Sequence, residues 1–182
     1  MPAVAPFTVD LAGLVVTFTG DDPRWEAVLA PRYSAFRTRR APAIEVALTT
    51  RGEVNDDATR AALRAETPEV AVESGAVVLR SASIEARLDG AEAARATLAA
   101  PLDRHGVDAL VRLLLAIRSP HSLLMHGALL VEAGEAFLAS GPSGVGKSTL
   151  AALCGERARC DELALLRRTT TGRWEAAALP FW

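Results

Sequence analysis

The chain has 182 residues, half of them hydrophobic, with 20 Lys and Arg against 22 Asp and Glu and a formal charge of -2. That length holds one full core, or a small domain plus part of another, and the near balance of charge gives no electrostatic case for nucleic acid as a partner. No apolar run reaches the length of a membrane span, and the start Met1-Pro2-Ala3-Val4-Ala5-Pro6 lacks the charged and apolar sections of a secretory signal, so a cytoplasmic location is expected.

Phe7, Val9, Leu11, Leu14, Val15, Val16 and Phe18 predict strand over 7–19. Gly20-Asp21-Asp22-Pro23 then reads as a turn that caps a short helix beginning near Arg24. Arg37, Arg39 and Arg40 form too short a basic cluster to mark a binding face and read as a solvated turn. Strand signals recur at Ile44 to Leu48, Val70 to Val72, Ala76 to Leu79 and Ile84 to Leu88. Short strands so close in sequence predict mostly antiparallel pairing, because parallel neighbours need long crossovers. Residues 1–118 therefore read as a small α+β domain of unknown role.

Asp103 is placed to cap a helix through Arg118, with Val107, Leu110, Val111, Leu114 and Ile117 on one buried stripe. Ser119-Pro120 ends it. Ala128 to Val131 and Glu135 to Ala139 follow as two strands joined by a tight turn at Ala133-Gly134, so a hairpin is expected to lead into the next segment.

That segment, Gly141-Pro142-Ser143-Gly144-Val145-Gly146-Lys147-Ser148, fits the G-x-x-x-x-G-K-[ST] phosphate-binding loop at every specified position. Glycines let the backbone approach a polyphosphate closely, so that successive N–H groups form an anion nest, and the helix beginning near Lys147 adds its positive end. Lys147 places an ammonium against the outer phosphates, while the Ser148 hydroxyl completes the shell of a Mg²⁺ that bridges phosphate oxygens. The expected nucleotide-binding set is Gly141, Ser143, Gly144, Val145, Gly146, Lys147, Ser148 and Thr149, although Thr149 also reads as an ordinary helix position. Gly155 is the expected stop of that helix.

Arg159 to Leu166 reads as a further strand with the acids Asp161 and Glu162 at its start, and Trp174 to Ala178 as the beginning of another. A short helix turning straight back into a neighbouring strand brings such an acid beside the phosphates, where it can hold Mg²⁺ or accept a hydroxyl proton. Cys154 and Cys160 are too few for a disulfide framework and read as small residues at the junction of helix and strand. His105 and His121 read as surface residues. His126, before a strand and a glycine, has both a structural and an active-site reading. No clustering of Cys and His suggests zinc, and the metal implied is the Mg²⁺ carried with nucleotide.

From His121 to Trp182 the chain resembles the HPr serine kinase/phosphorylase family and its wider group, which share a phosphoenolpyruvate-carboxykinase-like nucleotide fold. The likeness rests on His126-Gly127, the hairpin, Gly141 to Thr149, Asp161-Glu162 with the apolar Leu163, Ala164 and Leu165, and Leu179-Pro180-Phe181. The enzyme itself has two consecutive aspartates where this chain has Asp-Glu, and its glutamate-arginine-glycine segment has no counterpart here. The resemblance implies transfer of the γ-phosphoryl of ATP to a serine hydroxyl of a small carrier protein, with Asp161 as base, Glu162 as a partner or metal-shell acid and His126 supporting it. It also implies that 119–182 is a partial kinase-like P-loop domain, truncated at its C-terminus. Two alternatives stand beside it: a nucleotide-binding regulatory or assembly module without turnover, and another class of P-loop ATPase. ATP and Mg²⁺ are the expected cofactors, and the expected partners are nucleotide, the carrier protein and a second copy of the chain.

Overall fold

A computed structural model of the chain describes residues 5–51, 61, 67–90, 92–99 and 104–181. They divide into two units, Met1–Leu114 and Leu115–Trp182. The architecture is mixed α/β, with two sheets and few helices.

The first unit is built on a seven-stranded sheet. Its strands are β1 (Phe7–Leu11), β2 (Leu14–Gly20), β3 (Ile44–Arg51), β4 (Glu69–Glu73), β5 (Ala76–Arg80), β6 (Ile84–Leu88) and β7 (Ala93–Ala99), in the order β1-β2-β3-β7-β6-β5-β4. Four of the six pairings are antiparallel, while β2–β3 and β3–β7 are parallel. The β2–β3 crossover is helix α1 (Trp25–Tyr33), which buries Trp25, Leu29 and Tyr33. It begins one residue after Arg24, and the Asp22 carboxylate accepts the Arg24 N–H at 2.9 Å. The tight hairpins repeat one device: Ala12-Gly13 and Ser74-Gly75 both take positive φ at two successive residues, the geometry that matches the twist of paired strands.

Helix α2 (Arg104–Arg118) buries Val107, Leu110, Val111 and Leu114, as the stripe predicts, but Ile117 is exposed and Leu115 is buried in its place. The expected cap Asp103 lies outside the described residues. Asp108, on the same helix, is buried with its Oδ1 accepting the Tyr33 hydroxyl at 2.6 Å. Among the described residues, no helix is long and apolar enough to cross a membrane.

In the second unit, β8 (Ser122–Glu132) is the organising strand, longer at its start than the expected Ala128 to Val131. It pairs with β9 (Glu135–Ser140) through the Ala133-Gly134 turn, another pair of positive-φ residues. The expected single strand from Arg159 to Leu166 is two: β10 (Ala158–Cys160) and β11 (Leu163–Arg168), with β12 (Trp174–Ala178) beyond. Cys160 faces Leu129 and Leu163 faces His126, so the end of β10 and β11 share one register along β8 across Asp161-Glu162, after a shift between Ala158 and Cys160. Leu129, Cys160 and Ala164 form the local core, with Leu138, Ala176 and Ala178 packed against it.

Gly127 sits where β8 exchanges one set of neighbours for another. Its N–H donates to the Glu162 carbonyl at 3.0 Å, and a Cβ there would stand 2.7 Å from the Ala139 carbonyl oxygen, a backbone atom that cannot swing away. Gly127→Ala is expected to cost the second unit about 1–3 kcal/mol, the scale of overpacking. Denaturant unfolding of the full chain checks this, and an unmoved midpoint would contradict it.

Candidate functional site

The phosphate-loop sequence stands between β9 and helix α3 (Lys147–Cys154). Gly144 has φ 82° and Gly146 φ 101°, conformations open to glycine and strained for other residues, so the motif's spacing fixes the shape of the turn. Gly146 is the N-cap residue of α3, and the Leu150 N–H makes the helix's first bond to its carbonyl at 2.8 Å. Gly155 ends the helix as expected, donating to the carbonyls of Ala151 and Ala152.

Lys147 is buried, and its Nζ donates to the carbonyls of Gly141 and Pro142, each at 2.9 Å. An ammonium has three donors, and folding the lysine back over the loop uses two. The side chain thus holds the loop's entrance to its exit while its charge remains at the helix start.

The acids reach this place through the sheet. Because β8 is antiparallel to β11 with His126 opposite Leu163, and Gly127 bonds to Glu162, the histidine and the two carboxylates lie across one corner of the sheet. That corner and the loop enclose a cavity of ≈ 430 Å³. Ser143, Gly144, Gly146, Lys147, Ser148 and Thr149 line it from the loop side, and His126, Asp161 and Glu162 from the sheet side. Every lining residue is one that the sequence motifs single out. Thr149, which also reads as an ordinary helix position, faces the cavity. Gly141 and Val145 do not line it: Gly141 contributes a carbonyl to Lys147, and Val145 is largely exposed.

Chemically the cavity sets an ammonium and hydroxyl groups on one wall against carboxylates on the other. A polyphosphate suits the first wall, and a divalent cation riding on its oxygens suits the second. No group of three or more His, Cys, Asp or Glu side chains among the described residues is placed to hold a metal by itself. Such a cation would take most of its ligands from phosphate and water, with Ser148 and Glu162 as the protein's share. Cys160 lies just outside the site; burial pushes its thiol up, and its Sγ donates to the Leu163 carbonyl at 3.3 Å. A larger hollow of ≈ 670 Å³ opens between the β8–β9 and β11–β12 turns, but the Thr169 hydroxyl on its wall is engaged with Thr171 and Arg173.

The geometry defines a strand, a glycine loop and a helix facing a pair of acids across one cavity. The protein family that matches this part of the chain is described as "SynChlorMet cassette protein ScmC", over residues 106–182. The match spans less than half of the chain and is a similarity of that segment. No curated protein matches the chain. The finding overturns the resemblance to the HPr serine kinase/phosphorylase family, because the family that matches the same segment is another one. The misleading features have a physical origin. A glycine loop, a lysine, a hydroxyl and a nearby acid are what phosphate and Mg²⁺ chemistry requires locally, so short motifs of that kind do not identify a family.

Proposed function

We propose that the second unit binds the polyphosphate of a nucleoside triphosphate, ATP, together with Mg²⁺, as part of a kinase-like P-loop domain. The observation that carries this reading is the convergence of Lys147, Ser148 and Thr149 with Asp161 and Glu162 on one cavity at the start of α3. Backbone N–H groups of the loop and the helix end take the phosphates, Lys147 adds charge, and Ser148 with Glu162 completes the cation's shell. Titration calorimetry of the full chain with ATP and ADP, with and without Mg²⁺, tests it. Saturable Mg²⁺-dependent binding is expected, and absence of binding in every condition would overturn the reading.

The placement of Asp161 beside the loop favours a second step, transfer of the terminal phosphoryl group to an acceptor hydroxyl whose proton Asp161 takes. Asp161→Asn is then expected to leave nucleotide affinity nearly unchanged while lowering transfer or hydrolysis by about 10²–10⁴-fold, the usual worth of a general base. Release of γ-labelled phosphate, measured for both proteins, checks this. Undiminished turnover in the asparagine variant would remove Asp161 from the role of base.

A further inference from the structure

Among the described residues, β9 has one hydrogen-bonded neighbour, β8. Gly127 turns its N–H toward Glu162, away from β9, so the alternation of an antiparallel ladder aims Ala128, Leu130 and Glu132 at β9. Their partners Ala139, Phe137 and Glu135 therefore bond inward, and Ala136, Leu138 and Ser140 present backbone groups at the other edge. Natural edge strands are guarded by Lys, Pro or a bulge. β9 carries neither residue, and its only charge is Glu135 at the first position. Beside it lies an apolar hollow of ≈ 340 Å³ between β9 and α3, lined in part by Phe137, Leu150 and Cys154, with Phe137 52% exposed.

We propose that β9 pairs antiparallel with β9 of a second copy of this chain, about a two-fold axis at Phe137. The ladder permits registers that set outward groups against outward groups. The one centred on Phe137 places Phe137 beside its own copy in a non-hydrogen-bonded pair, where side chains come closest, and sets Ala136 against Leu138 and Glu135 against Ala139. No like charges meet, and two aromatic rings close over the apolar hollows. β4, one of the two edge strands of the other sheet, fails the same comparison: centred on Ala71, self-pairing opposes Glu69 to Glu73 twice.

Sedimentation equilibrium of the full chain over a wide dilution series tests the pairing, with circular dichroism to confirm that each variant is folded. A reversible dimer is expected. Phe137→Lys should raise its dissociation constant by about tenfold or more. Ala136→Pro removes an outward N–H without touching the β8 ladder and should do the same. Val72→Lys, at an exposed position of β4 on the other sheet, should leave the dimer intact. A wild-type chain that stays monomeric, a dimer indifferent to both β9 substitutions, or one that Val72→Lys dissociates would overturn the proposal.

Discussion

Lys147→Ala is expected to weaken Mg²⁺-ATP binding about a hundredfold, roughly 3 kcal/mol, the upper range for a hydrogen bond to a charged group. The size follows from where the ammonium sits. It is buried at the start of α3, so solvent and salt screen its attraction for phosphate far less than they would a surface lysine's. The same residue also ties the carbonyls of Gly141 and Pro142, and its loss therefore loosens the loop as well as removing charge. Ser148→Ala tests the cation by itself, because it leaves the ammonium and both of its bonds in place. Its affinity for Mg²⁺-ATP is expected to fall to the value that the wild type shows for ATP in chelator. Calorimetry on the three proteins under identical salt reads all of this. Unchanged affinity in the lysine variant would mean that the glycine loop is only a turn before a helix.

The site was legible in the sequence because its parts are local. Spacing within Gly141 to Ser148 dictates a turn that only glycine accommodates, and the chain needs only β8's register to bring Asp161 and Glu162 back to it. The sheet of the first unit was less legible. β7 carries no strand signal in sequence, since its buried face is Ala94, Ala96 and Leu98 alternating with Arg95 and Thr97. Alanine has little preference for strands, so that period-2 pattern is invisible until β3 and β6 supply neighbours on both sides. The parallel pairings of β3 depend on partners far apart in sequence, which no local pattern encodes. The split between β10 and β11 was equally hidden: register continues through it, and what marks it is two acids facing the cavity. Family identity was the least legible of all, since the residues that carried it are those that phosphate chemistry asks of any such loop.

Tyr33→Phe is expected to destabilise the first unit by about 1–3 kcal/mol, the cost of leaving a buried polar group without its partner. Tyr33 is fully buried on α1 and donates to Asp108, itself almost fully buried on α2, and Arg104 stands 3.8 Å from the other carboxylate oxygen. Burial holds the Asp108 carboxyl above its ordinary value of 3.8, against the Tyr33 hydrogen bond and the charges of Arg32, Arg104 and Arg112, which favour ionisation. Burial likewise holds the Tyr33 phenol well above its usual range, reinforced by the Asp108 charge and the hydrogen bond to it. An acid whose pKa is higher folded than unfolded binds more protons in the folded state between the two values. Its contribution is therefore full below 3.8 and is lost as pH rises through the folded value. Asp108→Asn keeps an acceptor for the Tyr33 hydroxyl and removes the titration, so the stability of wild type relative to this variant should fall as pH is raised from 3.8. In Tyr33→Phe the carboxyl loses a bond that favoured its charged form, and the fall should extend to higher pH. Denaturant unfolding of the three proteins across that range decides the matter. Parallel profiles for wild type and Asp108→Asn would show that the buried carboxyl titrates alike in both states and that the pair contributes nothing through its charge.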